Sequence, residues 1–273
     1  MKSPNRIMAL IAVVFLFFAA QGKAAETDDS VYLQIDYIKS AKNQATDFQQ
    51  NQKERWLPIH QQRVDQEAIN NWSIYEVLVA EPEADYNYVA ITVVDDFSNL
   101  YSTYSSEMIN AVYPNQDIHE IMGELKSAHE VVNSEVWHIE GSTHPEEKGQ
   151  NIGKYITKNY MDARGGSGEH RSMELDFWLP VHHVRVGKDI LNSWEMYSLV
   201  KPSGDATRYT YSTIDYYERL SDIEGSVGME LARVAHPDED DSVLQDFFSR
   251  TGQSRSVYKT ELWRLLETTL EVQ

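Results

Sequence analysis

The sequence predicts an α+β fold in which two copies of a β-α-β-β-α-β unit pack sheet against sheet within one chain. Three observations predict this fold: an internal duplication, apolar residues spaced as in strands and helices, and the same order of elements in both copies. One such unit carries helices on only one face of its sheet. The second copy is therefore expected to cover the other face.

The duplication is visible in a block of closely similar sequence. Residues 56–78 and 178–200 are identical at nine of 23 positions, where chance gives about one or two. The identical pairs are Trp56/Trp178, Leu57/Leu179, Pro58/Pro180, His60/His182, Arg63/Arg185, Val64/Val186, Asn70/Asn192, Trp72/Trp194 and Tyr75/Tyr197. The chain then divides into residues 1–24, a first repeat over 30–140, a linker over 141–151 and a second repeat over 152–270.

Each element of a repeat is predicted from its local pattern. Alternating apolar residues predict strands, and apolar residues on one helical face predict helices. In chain order, the first repeat is predicted to contain a strand over 31–39, a helix over 47–69, strands over 72–79 and 88–95, a mostly helical stretch over 98–132 with a break at 113–115, and a strand over 134–140. Pro58 and Pro180 lie inside the first helix of each repeat, where a missing backbone hydrogen bond predicts a kink.

The element order identifies a ferredoxin-like motif. In its duplicated form the chain resembles the dimeric α+β barrel superfamily, and it is similar to antibiotic-biosynthesis-monooxygenase-like, EthD-like and NIPSNAP-like proteins, with two subunits fused into one polypeptide. The resemblance covers nearly all of residues 30–270 and rests on element order and duplication. It implies that a small ligand is held between helices and sheet, and that the monomer acts as a pseudo-dimer.

The first residues of the chain predict an export signal. Lys2 and Arg6 precede an apolar run over residues 7–20, which is 14 residues long and too short for a membrane-spanning helix. Gly22 and Ala24 supply the small residues of a cleavage site, so cleavage is expected after Ala24. A membrane anchor is the alternative. The prediction is a periplasmic or secreted bacterial protein without membrane contact after cleavage.

Composition excludes several classes of protein. The chain has 273 residues and no cysteine, which excludes disulfide scaffolds, iron–sulfur clusters and thiol catalysis. Its net charge is −19, and removal of residues 1–24 makes it −22. Such an acidic excess disfavours a nucleic-acid partner, because binding to phosphates depends on lysine and arginine.

The best candidate site is a duplicated pattern on the first helix of each repeat. Residues at i, i+4 and i+7 share one helical face, so Trp56, His60 and Arg63 are expected to lie together beside the sheet. The candidate catalytic residues are His60 and His182. The candidate ligand-binding residues are Trp56, Arg63, Tyr75, Trp178, Arg185 and Tyr197. The alternative is a purely structural role, in which each histidine is satisfied in the core and each arginine pairs with Glu54 or Asp176.

The other polar residues give weaker indications of a functional site. Asp95 matches Asp215, and Glu135 matches Glu261, so these are the duplicated acids; Asp95 is expected to cap a following helix. The adjacent His182 and His183 diverge on a helix, and the acidic run over 238–241 lacks the spacing of a calcium loop. No metal site and no cofactor are predicted, although a haem-binding variant stays open.

Three functions remain at this point. The first is a protein that binds a small, partly apolar molecule in helix–sheet pockets. The second is a cofactor-independent monooxygenase or isomerase acting on a phenolic or enolic molecule, with histidine as general base. The third is a structural or interaction module without a ligand. Whether the chain is an enzyme is left open by the sequence.

Overall fold

A computed structural model describes residues 30–40, 45–101, 104–127, 129–144, 152–163, 166–204, 207–225 and 228–270. The predicted signal segment 1–24 lies outside these residues, and so do residues 145–151 of the predicted linker. Within the described residues, every helix is too short or too polar to cross a bilayer.

In the part of the chain that the structure describes, each repeat contains four strands with helical segments between them. The first repeat comprises β1 (Tyr32–Ser40), α1 (Ala45–Asn51), a π-helical turn (Gln52–Trp56), α2 (Leu57–Asp65), β2 (Asn71–Val79), β3 (Tyr88–Val94), a 3-10 turn (Phe97–Tyr101), α3 (Ser106–Val112), α4 (Ile118–Ser127) and β4 (His129–Ser142). The second comprises β5 (Tyr155–Ala163), α5 (Ser167–Ser172), a π-helical turn (Met173–Trp178), α6 (Leu179–Gly187), β6 (Ser193–Lys201), β7 (Tyr211–Tyr217), a 3-10 turn (Leu220–Asp222), α7 (Met229–Ala235), α8 (Asp241–Ser254) and β8 (Arg255–Thr268).

The eight strands form one closed antiparallel barrel. Its strand order is β1-β3-β2-β8-β5-β7-β6-β4, so each repeat supplies a four-stranded sheet with the order β4-β1-β3-β2 or β8-β5-β7-β6. The two sheets also pair along both edges, where β2 meets β8 and β4 meets β6. Edge pairing satisfies the backbone groups that two merely stacked sheets would leave open.

The α+β class and the β-α-β-β-α-β order of both repeats are confirmed. The element boundaries differ from the prediction in three places. The first helix ends at Asp65, and β4 begins at His129, inside the stretch predicted to be helical. The backbone N–H of Ser98 bonds to Asp96 Oδ1 at 2.8 Å, so Asp96 and not Asp95 caps the helical turn there. β4 also runs to Ser142, two residues beyond the predicted end of the first repeat.

Apolar side chains fill two kinds of layer. Inside the barrel, residues of both repeats pack together, among them Ile35, Tyr37, Trp137, Tyr160 and Trp263, all at most 1% exposed. Outside it, each sheet is covered by the helices of its own repeat, with separate apolar clusters in the two repeats. The helix–sheet layer is where the candidate site lies.

The predicted kink takes the form of a π-helical turn directly before each helix proline. Pro58 and Pro180 occupy the second position of α2 and α6, where a missing N–H is tolerated. The carbonyl of Arg55 accepts a hydrogen bond from Tyr113 at 2.8 Å, and the equivalent carbonyl of Phe177 is 3.0 Å from His236 Nε2. Side chains from the α3 and α7 ends thus satisfy the carbonyls that the turns leave open.

Candidate functional site

A cavity of about 230 Å³, here called the first cavity, lies between α2 and the outer face of the first sheet. Its walls include three of the predicted residues, Trp56, His60 and Arg63. The sheet contributes Trp72, and the segment after β3 contributes Tyr104. The i, i+4, i+7 spacing on the helix therefore brings the predicted triad together, as expected.

His60 is packed between two indole rings. Its ring centroid is 4.3 Å from Trp72 with an interplanar angle of 5°, and 5.6 Å from Trp56 with an angle of 25°. Burial, together with the nearby guanidinium of Arg63, holds the pKa of His60 well below its usual range. The imidazole is therefore neutral at neutral pH.

The hydrogen bond from Arg63 determines the tautomer of that imidazole. Arg63 Nη1 lies 3.3 Å from His60 Nδ1. Because a guanidinium can only donate, Nδ1 must accept, and the single ring proton of neutral His60 sits on Nε2. A general base needs a free lone pair with a pKa near the working pH. His60 offers neither, so the geometry favours a binding or structural role over proton abstraction.

A second cavity of about 420 Å³ occupies the equivalent place in the second repeat. Trp178, His182 and Arg185 line it, again as the sequence predicts, with Trp194 on the sheet side. His182 stacks on Trp194 at 4.5 Å and 10°, and its Nδ1 accepts from Arg185 Nη1 at 2.9 Å. Burial holds the pKa of His182 well below its usual range, as in the first repeat.

The second cavity contains an ion pair whose acidic partner differs from the predicted one. Arg185 Nη1 donates to Asp215 Oδ1 at 2.9 Å, and both side chains are buried. Burial raises the pKa of Asp215 above its usual range, although Arg185 opposes that rise. The structural equivalent of Asp215 is Thr92, because Trp72 pairs with Thr92 as Trp194 pairs with Asp215. The predicted match with Asp95 is wrong. Glu54 and Asp176, the predicted partners, bond instead to Gln50 and Ser172.

A further ion pair closes another wall of the second cavity. Glu174 is 1% exposed and bonds to Arg255 at the start of β8. Burial raises the pKa of Glu174 to about 7, although Arg255 acts in the opposite direction. The equivalent residues of the first repeat, Gln52 and His129, both line the first cavity. The two cavities therefore share their aromatic walls and differ in their charged groups.

Tyr75 and Tyr197 lie elsewhere, which corrects their predicted place in the ligand pocket. Both are 1% exposed and pack inside the barrel. Side chains alternate between the two faces of a strand, so Tyr75 and Trp72, three residues apart, point to opposite faces. Trp72 and Trp194 supply the sheet-side wall instead.

The duplicated glutamates also lie inside the barrel. Glu135 accepts from Tyr37 at 2.7 Å and from Trp137 Nε1 at 3.0 Å. Glu261 accepts from Trp263 Nε1 at 3.0 Å and from Lys259 at 2.7 Å. Buried carboxylates with several donors each are satisfied core groups.

The arrangement of the described residues bears on whether a metal ion or haem can bind. They contain no group of three or more histidine or acidic side chains placed to hold a metal ion. Haem ligation by His60 or His182 would need a free imidazole lone pair. In both rings that lone pair already accepts from arginine, so neither His60 nor His182 offers a ligand for haem iron.

Neither a protein-family profile nor a curated protein sequence matches the chain. Several solved structures are similar. A candidate monooxygenase from Fusobacterium nucleatum is 8% identical over 88% of this chain and 93% of its own, with a TM-score of 0.47. An anthrone oxidase-like protein is 9% identical over 90% and 96%, with a TM-score of 0.46. A variant of the chlorite dismutase of Candidatus Nitrospira defluvii is 11% identical over 86% and 90%, with a TM-score of 0.44.

The TM-scores of these three structures lie below 0.5, so the similarity does not assign the chain to a family. Identities of this size relate folds and say nothing about activity. The function of this chain must therefore be argued from its own cavities.

Proposed function

We propose that the protein binds a small, partly apolar molecule in the cavities between its helices and its barrel. The observation that carries this proposal is the duplicated wall: in each repeat a neutral imidazole packs between two indoles at the edge of a cavity. Concave sites that combine apolar and aromatic side chains with placed polar groups are typical of small-molecule binding. The arginine on each histidine Nδ1 supports binding over general-base catalysis.

The size of the first cavity limits its ligand. A dry cavity of about 150 Å³ in another protein holds benzene. A space of about 230 Å³ therefore suits a single aromatic ring with one small substituent. Trp56, Trp72 and Tyr104 line this space, and contacts between aromatic rings favour a ligand of that kind.

Filling each cavity separately tests the proposal. Ala90 lines the first cavity and Thr213 lines the second at the equivalent strand position. A thermal-shift screen of one-ring aromatic compounds, followed by calorimetry, should yield ligands for the wild type. Ala90→Phe should abolish binding in the first cavity, and Thr213→Phe serves as the matched control. If no compound binds, or if neither substitution affects binding, the protein is not a binder of this kind.

We propose in addition that the protein is exported and acts as a monomer. The basic, apolar and small-residue pattern of residues 1–24 supports export. The pairing of both repeats within one barrel supports a monomer. Intact mass measured on protein from a secreting bacterial host should correspond to a chain beginning at Ala25, and light scattering should give a monomer mass. A full-length or dimeric product would count against these proposals.

A further inference from the structure

The two cavities differ at one pair of equivalent positions that bears on ligand identity. Four residues before each helix tryptophan stands Gln52 in the first repeat and Glu174 in the second. Ser40 pairs with His129 as Ala163 pairs with Arg255, so His129 and Arg255 are also equivalent. In the second cavity these positions form the Glu174–Arg255 ion pair.

In the first cavity the same positions lack internal partners. Gln52 is 2% exposed, and its Nε2 has no hydrogen-bond partner. His129 Nδ1 is likewise buried without a partner. Both residues line the first cavity. A buried donor or acceptor left unpaired is costly, so native proteins rarely keep two such groups beside one space unless something else satisfies them.

Among the other polar groups of this cavity, Trp56 Nε1 is also buried without a hydrogen-bond partner, whereas Asp36 and His60 are engaged. Asp36, the carboxylate among its described lining residues, accepts from Gln34 at 3.0 Å and from Ser134 at 2.6 Å. His60 Nδ1 accepts from Arg63. A ligand can therefore bring new hydrogen bonds to Gln52, to His129 and to the indole N–H of Trp56, and of these three residues Trp56 can only donate.

We propose that the first cavity, and not the second, holds a hydroxyl-bearing aromatic ring whose hydroxyl group is bound by Gln52 and His129. This proposal rests on the proposed binding function and names its ligand class. A hydroxyl accepts from the amide N–H of Gln52, and it complements either nitrogen state of His129 because it can donate or accept. A methyl group of the same size satisfies neither. In the second cavity Glu174 and Arg255 bond to each other, so these two positions have no such role for a ligand.

Phenol and toluene are the matched probes, since they differ only in hydroxyl against methyl. Calorimetry on the full chain should show phenol binding about tenfold or more tightly than toluene, the size expected when buried polar partners go unpaired. The indole N–H signals of Trp56 and Trp72 in nitrogen-15 NMR spectra, assigned by Trp→Phe variants, should shift on phenol addition and report the site.

The decisive variant exchanges the pair between cavities. Gln52→Glu with His129→Arg installs the internal ion pair of the second cavity, and it should remove the preference for phenol while toluene affinity stays within about twofold. If the double exchange does not fold, Gln52→Met is the alternative variant. It is expected to lower the preference for phenol over toluene severalfold. Glu174→Gln with Arg255→His is the control and should leave the preference of the first cavity unchanged.

The outcomes separate this inference from the proposed function. Equal binding of phenol and toluene, or a phenol preference that survives both Gln52 variants, overturns the inference while the binding function stands. If neither probe shifts the Trp56 and Trp72 signals and no other one-ring compound binds, both fail together.

Discussion

Tyr37 and Tyr160, which hold equivalent positions in the two repeats, place their hydroxyl oxygens 2.8 Å apart inside the barrel. The single proton of Tyr37 is committed to Glu135 Oε2 at 2.7 Å. Tyr160 must therefore donate to Tyr37, and its own distance to Glu261 is 3.4 Å. Burial raises the pKa of both tyrosines well above their usual range, so the two protons stay in place. The two repeats are therefore similar in sequence but differ in the hydrogen bonds that these tyrosine hydroxyl groups donate.

This asymmetry predicts unequal effects of removing either hydroxyl. Tyr37→Phe removes a donor from a buried carboxylate, which is expected to cost about 1.5–3 kcal/mol. Tyr160→Phe removes a bond between two neutral hydroxyls and should cost about 0.5–1.5 kcal/mol. Urea unfolding of both variants measures the difference. An equal or larger loss for Tyr160→Phe would show that the proton runs the other way.

The ion pair of the second cavity predicts a second difference between the repeats. Asp215→Asn should lower the free energy of unfolding by about 3–5 kcal/mol, because it leaves buried Arg185 without its carboxylate. Thr92→Val at the equivalent position of the first repeat should cost less than about 1.5 kcal/mol. Urea unfolding checks both values. Similar losses for the two variants would mean that Asp215 does not compensate Arg185.

A buried lysine predicts stability that rises in alkali. Lys158 is 0% exposed and contacts Ser212 at 2.6 Å and the Trp137 ring at 4.1 Å. Burial lowers the pKa of Lys158 to about 7 from its ordinary 10.5. Above pH 7 the unfolded chain therefore binds a proton that the folded chain does not, and stability should rise by about 2 kcal/mol between pH 7 and pH 9.

Lys158→Ile is the matched variant for this pH profile, since Ile35 occupies the equivalent position of the first repeat. The variant should show a nearly flat profile between pH 7 and pH 9 in urea unfolding. A wild-type profile that is already flat, or a rise that persists in Lys158→Ile, would contradict the assignment.

The buried imidazoles of His60 and His182 predict how the stability of the fold depends on pH below neutrality. Burial lowers the pKa of His60 and His182, so in NMR titrations neither ring should protonate between pH 7.5 and pH 6. Below about pH 6.5 the unfolded histidines bind protons that the folded ones do not, and each lowers stability as pH falls. A midpoint near 6.5 for either ring would contradict this prediction.

Protonation of Glu174 has the opposite effect on the stability of the fold at acid pH. Its raised pKa of about 7 means that the folded chain binds a proton between about pH 4.5 and pH 7 that the unfolded chain has released, so this carboxyl adds stability as pH falls to about 4.5. Glu174→Gln should therefore make the acid loss of stability steeper below pH 6.5. An unchanged slope in urea unfolding would count against the shift.

Much of the candidate site could be predicted because its spacing is local. Trp56, His60 and Arg63 share one helical face by helix geometry alone, and the duplication repeats them. The position of Tyr75 inside the barrel is also predictable from the sequence. Side chains alternate between the two faces of β2, so Tyr75 and Trp72 lie on opposite faces. Gln52 lies one helical turn before Trp56, so its place on the same helical face also follows from local spacing.

Asp215 could not be assigned from the sequence, for a different reason. Its match depends on the loop between β6 and β7, residues 202–210, which is one residue longer than residues 80–87 between β2 and β3. A shift of register changes which residue faces the helix, and a strand of seven residues has too little pattern to reveal the shift.

The sequence by itself determined the duplication, the order of elements and the helix face that carries Trp56, His60 and Arg63, because each depends on residues close together in the chain. The tertiary structure decided barrel closure, the pairing of Arg185 with Asp215 and the complete burial of Lys158. These depend on registers between strands far apart in sequence, and local periodicity does not encode them. The difference between the two cavities belongs to this second group, since it arises where β4 and β8 meet the π-helical turns.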